Sequence, residues 1–158
     1  MKRSIQLIFA FIMLISMSVQ AQNINVLDKY VCVTLRPAST NTAVPDYEKL
    51  QPDLESGIKD LLRKNKIPVL KNQQEAADKG WKKCEILICT YELHYSTGMM
   101  FNANITCSLH FTTCDEKEIF SVSGKKMVPA VVGAKGYLGQ FTTLMKPYGN
   151  YVYTFKPE

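Results

Sequence analysis

Two segments with alternating apolar and polar residues constrain the fold of this chain most strongly. Residues 86–95 and 104–114 each carry an apolar side chain at every second position. This period is typical of strands with one buried face, and two such neighbours favour an antiparallel hairpin. The predicted buried face carries Leu87, Cys89, Tyr91 and Leu93 from the first strand and Ile105, Cys107, Leu109 and Phe111 from the second.

A helix that could cover this face precedes the hairpin. Apolar side chains recur at helical spacing at Leu50, Leu54, Ile58, Leu61 and Leu62. Pro52 suits the first turn of this helix, and Asn65 suits a left-handed end. Shorter strands are predicted at residues 27–35, 67–70, 119–123 and 151–155, a capped helix from Asn72 to Gly80, and another helix over residues 134–145. The fold class predicted is two-layer α+β, with an antiparallel sheet of about five strands covered by one main amphipathic helix.

The N-terminus has the pattern of an export signal. Lys2 and Arg3 precede an unbroken apolar run over residues 7–15, and small residues lead to Ala21. This pattern predicts a signal peptide at residues 1–21 and a single domain at residues 22–158. The apolar run is shorter than the roughly 20 residues that a membrane span needs. We therefore expect an exported protein, periplasmic or extracellular, with no transmembrane segment after cleavage.

The order of these elements resembles a group of bacterial envelope domains. After the leader come the strand KYVCVTL, the amphipathic helix, NKIPVL, the short helix, and the strands CEILICTYELHYS and NITCSLHFTTC. Over residues 27–124 this order is similar to the small βα domains of envelope proteins such as the amino-terminal domain of TolB and the CsgG-like lipoproteins. The resemblance implies an envelope interaction module, and it brings no catalytic residues with it.

The two histidines of the chain are predicted to lie on the polar face of the hairpin. If the turn is centred on Gly98, His94 opposes Asn102 and His110 opposes Ile86. The two rings would then be about 27 Å apart along the strands, too far to share a metal ion. The cysteines of the hairpin point to the other face, so a Cys–His pair is not expected there either. No catalytic, cofactor-binding or metal-binding residue is assigned from the sequence.

The five cysteines suggest disulfides, which export permits. The same register puts Cys89 opposite Cys107, and a slip of two residues puts Cys84 opposite Cys114. We predict one or two hairpin disulfides, first Cys84–Cys114 and then Cys89–Cys107. A pair of small buried thiols is the alternative for Cys89 and Cys107, and Cys32 is predicted to be free.

Aromatic and basic residues crowd the C-terminal part. From Lys125 to Glu158 the chain has five lysines and one acid. Aromatic side chains beside cations suit a protein interface or stacking on a glycan. The basic tail also favours an anionic surface such as lipid headgroups or polysaccharide. The candidate interaction surface consists of Tyr137, Phe141, Lys146, Tyr148, Tyr151 and Tyr153. The alternative is that residues 151–155 form a strand that packs into the core.

These observations favour an exported, non-catalytic interaction or binding module of the bacterial cell envelope. Its expected partner is an envelope protein or an anionic surface component. Nucleic acid is not expected as a partner, because the protein is predicted to be exported and its sequence has no arginine-rich patch. The alternative is a hydrolase or transferase whose site assembles from distant residues.

Overall fold

The structure, a computed structural model, describes residues 23–71, 73–98 and 101–156. The predicted signal peptide and the predicted helix cap Asn72 lie outside these ranges. Within them the chain forms four strands and three α-helices: β1 (Cys32–Pro37), α1 (Tyr47–Lys64), α2 (Gln73–Asp78), β2 (Ile86–Thr97), β3 (Asn102–Thr112), β4 (Glu118–Pro129) and α3 (Ala134–Met145). Short 3₁₀ helices lie at Ile24–Lys29, Ser39–Ala43, Lys83–Glu85 and Lys146–Tyr148. The α+β class is confirmed.

The sheet is mixed, which corrects the expectation of an antiparallel sheet of about five strands. Its four strands run in the order β1-β2-β3-β4. β1 pairs parallel to β2, whereas β2–β3 and β3–β4 are antiparallel. The reason is the connection, because α1 lies between β1 and β2 in the chain. A helix between two strands returns the chain to the end of the sheet where the first strand began, so the two neighbouring strands run parallel.

Two predicted strands do not join the sheet. Residues 67–70 contribute one isolated parallel bridge, Val33 to Val69. Residues 151–155 belong to no strand or helix. Instead, the amide of Tyr153 donates a 3.0 Å hydrogen bond to the carbonyl of Asn65 at the end of α1. The C-terminal segment is therefore held across the helix end rather than along a strand edge.

The predicted helical cover is confirmed on the apolar face of the hairpin. Leu54, Ile58 and Leu62 of α1 are fully buried in the same cluster as Leu87 and Phe111 of the sheet. The helix begins at Tyr47, so Pro52 lies inside it rather than in its first turn. Lys66, with φ 58°, takes the left-handed conformation that was expected for Asn65.

The third helix lies beside the first on the same face. α3 spans the residues predicted for it, and Tyr137, Phe141 and Met145 are buried in the main cluster. Gly57 of α1 faces Leu138 of α3 so closely that a Cβ on Gly57 would lie 2.5 Å from a Leu138 methyl carbon. The two helices therefore cover the inner face together, and the outer face of the sheet carries neither of them. Among the described helices, none has the length and apolar composition of a membrane span.

The β2–β3 register differs from the prediction by four residues. Tyr91 pairs with Leu109, and the last pair before the turn is Thr97 with Ala103. The centre of the hairpin is therefore near residue 100 rather than at Gly98. The amide of Gly98 donates to the carbonyl of Asn102 at 2.7 Å, and Phe101 has a φ of 63°. This shift of the centre moves every cross-strand partner by four residues while keeping each side chain on its predicted face.

Candidate functional site

The outer face of the sheet divides into an apolar end and a polar end. At the apolar end, Cys32, Leu70 and Ala76 form a second buried cluster, separate from the main core. Val31, Trp81 and Ile86 pack against it. The helix α2 and the segment after it cover only this end of the outer face. The second cluster is therefore open to solvent on one side.

A cleft of about 460 Å³ lies at that edge, between α2 and the outer side of β1 and β2. Its apolar lining comes from Leu70, Ala76, Ala77, Trp81, Ile86 and Ile88. Its polar lining comes from Thr34, Arg36 and Lys83, so both of its charged side chains are cations. A volume of this size falls in the range of roughly 300–1,000 Å³ that small-molecule sites occupy.

Trp81 forms one wall of this cleft, and local bonds hold it there. Gly80, with φ +67°, ends the turn after α2 in a conformation that favours glycine. The amide of Trp81 then donates a 3.0 Å hydrogen bond to the carbonyl of Ala76. Lys79 Nζ lies 4.6 Å from the centre of the indole ring and 2.8 Å from Glu75 Oε1. The indole is half-buried, with part of its surface available to a ligand.

The predicted disulfide between Cys84 and Cys114 is present and borders the same cleft. It joins the 3₁₀ helix before β2 to the turn after β3, with a Cα–Cα distance of 5.0 Å. The second candidate disulfide does not form. Cys89 pairs with Phe111, and Cys107 pairs with Leu93, so the four-residue shift separates the two thiols along the ladder.

The three remaining cysteines are buried free thiols. Burial raises the pKa of Cys32 to about 11 and that of Cys107 to about 12. Burial also raises the pKa of Cys89. A nucleophilic cysteine needs a lowered thiol pKa and access to substrate, so these three side chains are packing groups. The prediction that Cys32 is free agrees with the structure, but α2 buries it more fully than expected.

The histidines lie much closer together than the predicted register implied. His94 Nε2 is 3.3 Å from Glu92 Oε1, and His110 Nε2 is 3.7 Å from Glu92 Oε2. His110 pairs with Thr90 rather than with Ile86, because the centre of the hairpin lies two residues later than predicted. The predicted separation of about 27 Å is therefore wrong, and both rings approach one carboxylate.

A second carboxylate holds the other side of the His110 ring. His110 Nδ1 lies 2.7 Å from Glu118 Oε2, and the Ser121 hydroxyl donates to Glu118 Oε1 at 2.7 Å. Partial burial raises the pKa of Glu118, but the hydrogen bonds from Ser121 and His110 outweigh it and bring that pKa below its ordinary value. The Glu118 carboxylate therefore accepts a hydrogen bond from the Nδ1–H group, and in a neutral His110 ring Nε2 is then the acceptor.

This arrangement contains two parts of a hydrolytic triad. A general base needs its free nitrogen against a hydroxyl or thiol nucleophile. Here Nε2 of His110 faces the Glu92 carboxylate. The nearby Ser108 hydroxyl donates instead to the Ser123 hydroxyl at 2.8 Å. In the described structure, His110 therefore has no serine hydroxyl placed against its second nitrogen.

Two members of the predicted C-terminal interaction surface are core residues. Tyr137 is 1% exposed and Phe141 is 0% exposed, because both lie on the side of α3 that packs on the sheet. They cannot form an interaction surface, and this part of the prediction is corrected.

The other four members lie at or after the end of α3. Lys146 is exposed, and Tyr148, Tyr151 and Tyr153 are half-buried. The Tyr153 hydroxyl donates a 2.6 Å hydrogen bond to the carbonyl of Tyr30. The Tyr148 ring packs edge-on against Phe120, with centroids 5.3 Å apart. These contacts give the tyrosines a structural role in fastening the C-terminal segment.

Another cleft lies at the opposite end of the sheet. It has a volume of about 390 Å³, and its lining includes Tyr95, Val131, Asp46 and Lys49. Lys49 Nζ and Asp46 Oδ1 are 2.7 Å apart, so the two charged side chains of this cleft form a salt bridge with each other. The Trp81 cleft offers cations without a lining acid, which makes it the better candidate for a charged ligand.

One cluster has the composition of a metal site. Among the described residues, Cys84, Cys114 and Asp115 bring their ligand atoms within 4.8 Å of one another. The two sulfurs are bonded to each other in the disulfide. Oxidised sulfurs are poor metal ligands because the thiolate is the coordinating form. This cluster is therefore not a candidate metal centre.

The sequence contains a signal for the Trp81 cleft on the outer face of the hairpin. Ile86 and Ile88 are apolar, although they share the outer face with Thr90 and Glu92. Apolar residues on both faces at one end of a strand indicate a second cover there. The single tryptophan of the chain follows directly after Gly80 and supplies that cover.

Comparison with known proteins finds no matching family model and no matching curated protein. Similar solved structures include the PelC dodecamer from Paraburkholderia phytofirmans in two crystal forms. A single-residue variant of it, in space group C2, is 14% identical with a TM-score of 0.49, covering 75% of this chain and 89% of that chain. The form in space group P6 is 13% identical with a TM-score of 0.49, covering 75% and 87%.

A minor lipoprotein from Acinetobacter baumannii is 10% identical with a TM-score of 0.28 and covers 77% of this chain and 84% of that chain. All three structures are bacterial, and neither TolB nor a CsgG-like protein is among them. The more specific resemblance to those two groups is not supported by them. Similarity at this level does not extend to a ligand or a partner.

Proposed function

We propose that this protein is an exported, non-catalytic binding module of the bacterial cell envelope. Its ligand carries a negative charge beside a flat apolar surface and enters the cleft at Trp81. The observation that carries the proposal is the composition of that cleft. An apolar floor and an indole wall stand beside Arg36 and Lys83, with no acidic side chain in the lining.

The Cys84–Cys114 disulfide supports export. Disulfides form and persist in oxidising compartments such as the periplasm and the extracellular space. The leader pattern of residues 1–21 predicts the same location. The assignment to the envelope rests on this pattern and on the order of elements along the chain.

The chemistry of the cleft supports binding in two parts. The flat face of Trp81 and the side chains of Ile86 and Ile88 favour an apolar, planar part of a ligand. Arg36 favours an anionic group, because its guanidinium can donate two parallel hydrogen bonds to a carboxylate, sulfonate or phosphate. Thr34 adds a hydroxyl that can donate or accept a hydrogen bond.

The catalytic alternative has less support. A hydrolase or transferase requires an activated nucleophile beside its base. His110 has an orienting carboxylate at 2.7 Å, but its other nitrogen faces Glu92. The free cysteines have raised thiol pKa values because of burial. The observations therefore favour binding over catalysis.

The proposal is tested with a matched pair of probes, 1-naphthalenesulfonate and the uncharged 1-naphthalenesulfonamide. We expect the anion to bind with 1:1 stoichiometry in isothermal titration calorimetry and the amide to bind more weakly. Trp81→Ala should reduce anion binding by at least tenfold, and Arg36→Gln by about fivefold, equivalent to about 1 kcal/mol.

Arg63→Gln is the matched control, because Arg63 lies on α1 and pairs with Asp60 at 3.2 Å. It should bind the anion like the unaltered protein. Equal binding of both probes, or equal loss in the Arg36 and Arg63 variants, would contradict an anion site in the cleft.

A further inference from the structure

The polar end of the outer sheet face brings two imidazoles to one carboxylate. Glu92 lies between the two histidines, with Oε1 3.3 Å from His94 Nε2 and Oε2 3.7 Å from His110 Nε2. Thr40 reaches in from the 3₁₀ helix beside β2, and its hydroxyl donates to Glu92 Oε1 at 2.9 Å. The carboxylate is thus held in position by a neighbouring element.

The hydrogen bond to Glu118 determines which nitrogen of His110 is available. Nδ1 lies 2.7 Å from Glu118 Oε2 and donates to it. The lone pair of a neutral His110 is then on Nε2, and it faces Glu92 Oε2. A lone pair and a carboxylate oxygen repel each other, so either a proton on Nε2 or a bound cation joins His110 to Glu92.

We infer that Glu92, His94 and His110 form a binding site for a divalent transition-metal ion of the zinc class. Two imidazole nitrogens and one carboxylate are a ligand set that zinc uses in proteins. Two ligand atoms that are each about 2.0–2.2 Å from a tetrahedral ion lie roughly 3.3–3.6 Å apart. The two nitrogen–oxygen distances, 3.3 Å to Oε1 and 3.7 Å to Oε2 of Glu92, are each close to this separation, so the ion would use both oxygens of the carboxylate.

Glu118 and Ser121 provide the outer support that metal-binding histidines have. Such a histidine usually donates its other ring N–H to a carboxylate, which sets the tautomer and the orientation of the ring. His110 donates to Glu118, and the Ser121 hydroxyl donates to the other oxygen of that carboxylate. This chain of bonds distinguishes the cluster from a chance meeting of exposed polar groups.

Binding requires a movement of one side chain. In the described part of the chain, the three ligand atoms do not all come within 4.8 Å of one another. The His94 side chain is 57% exposed, whereas that of His110 is 31% exposed and that of Glu92 is 26% exposed. The exposed His94 ring is therefore the group that turns to close on the ion, while His110 stays on Glu118. Another charged residue belongs to this part of the sheet. Lys125 of β4 lies opposite Thr106 in the strand register, and Thr106 lies opposite His94.

The test is a titration of the folded protein with zinc chloride, followed by isothermal titration calorimetry and by NMR signals of the two imidazole rings. We expect one zinc ion per chain and shifts of both His94 and His110 signals. His94→Ala, His110→Ala and Glu92→Gln should each weaken zinc binding by at least tenfold. Glu118→Gln, which changes only the outer support, should weaken it by about tenfold.

Two control variants separate this site from other sources of binding. Glu48→Gln removes an exposed carboxylate in the first turn of α1, the helix that packs on the inner face of the sheet, and it should bind zinc normally. Trp81→Ala should also bind zinc normally, so failure of the anion cleft and failure of the metal site are distinguishable. Circular dichroism of each variant checks that it is folded.

Two results would overturn the inference. The first is an absence of zinc binding at 100-fold excess over protein, which would mean that protons alone separate the histidines from Glu92. The second is zinc binding that survives in the folded His94→Ala/His110→Ala double variant, which would assign the ion to other ligands.

Discussion

The phenol of Tyr151 donates a 2.6 Å hydrogen bond to Oδ1 of Asp28, a residue 123 positions earlier in the chain. The same carboxylate oxygen accepts from the amide of Thr154 at 3.2 Å, and the carbonyl of Asp28 accepts from the amide of Lys156 at 2.7 Å. Burial, and then the bond to Asp28, raise the pKa of Tyr151 well above its ordinary value. One buried aspartate thus fastens the C-terminal segment to the first 3₁₀ helix.

Asp28→Ala should lower the free energy of unfolding by about 1–3 kcal/mol, because it leaves the Tyr151 phenol and the Thr154 amide without their acceptor. Urea unfolding followed by circular dichroism measures the change. The control is Asp53→Ala, which alters an exposed aspartate of α1. If both variants lost the same small amount, the segment would not be fastened through Asp28.

Replacing Cys84 and Cys114 together by serine should lower the free energy of unfolding by about 3 kcal/mol, because the bond closes a loop with a sequence separation of 30 residues. Thermal unfolding with and without reductant measures the effect. The reductant should destabilise the unaltered protein and leave the double variant unchanged. Sensitivity of the double variant to reductant would indicate a different pairing.

Ile58→Ala should lower the free energy of unfolding by about 2–5 kcal/mol, because Ile58 is 0% exposed where α1 packs on the sheet. Ser56→Ala changes an exposed residue of the same helix and serves as the control. Urea midpoints of the two variants give the comparison. A loss under about 0.5 kcal/mol for Ile58→Ala would contradict the packing of α1 in the core.

The free thiols should react with Ellman's reagent only after unfolding. Burial raises the pKa of Cys32 to about 11 and that of Cys107 to about 12, so both stay protonated in the folded protein at pH 8. Three thiols per chain should react in guanidinium and none in native buffer. Fast labelling of the native protein would contradict the burial of these side chains.

The raised pKa values of Cys32 and Cys107 also predict how the free energy of unfolding changes with pH. The folded state keeps protons on Cys32 and Cys107 that the unfolded state releases above its ordinary thiol pKa, near 8.5. The stabilisation is fully present below that pH and is lost as the pH rises towards 11–12. Urea midpoints should therefore fall between pH 8 and pH 10.5, and replacing Cys32 by alanine should make the fall smaller.

The spacing of apolar side chains within single elements was sufficient to predict the inner face of the sheet and the helix that covers it. The alternation from Leu87 to Leu93 and the helical spacing from Leu54 to Leu62 correctly predicted which face is buried and which helix covers it. Both patterns depend on side-chain spacing within one element. The Cys84–Cys114 pair was also predicted, because both cysteines flank the base of the hairpin.

The properties that depend on connections were predicted wrongly. The direction of β1 follows from its connection through α1, and the hairpin register follows from a turn that includes Phe101 in a left-handed conformation. The register error separated His94 from His110 in the prediction and so concealed their shared contact with Glu92. The Trp81 cleft was not predicted, because the outer face of the hairpin was expected to be polar although Ile86 and Ile88 lie on it.

The most direct measurement of the central claim uses the indole N–H signal in a ¹⁵N-labelled sample, because Trp81 is the only tryptophan of the chain. We predict that 1-naphthalenesulfonate shifts this signal saturably, with the dissociation constant found by calorimetry, and that the uncharged sulfonamide shifts it less. An indole signal that stays in place while the anion binds elsewhere would contradict a ligand site in the cleft at Trp81.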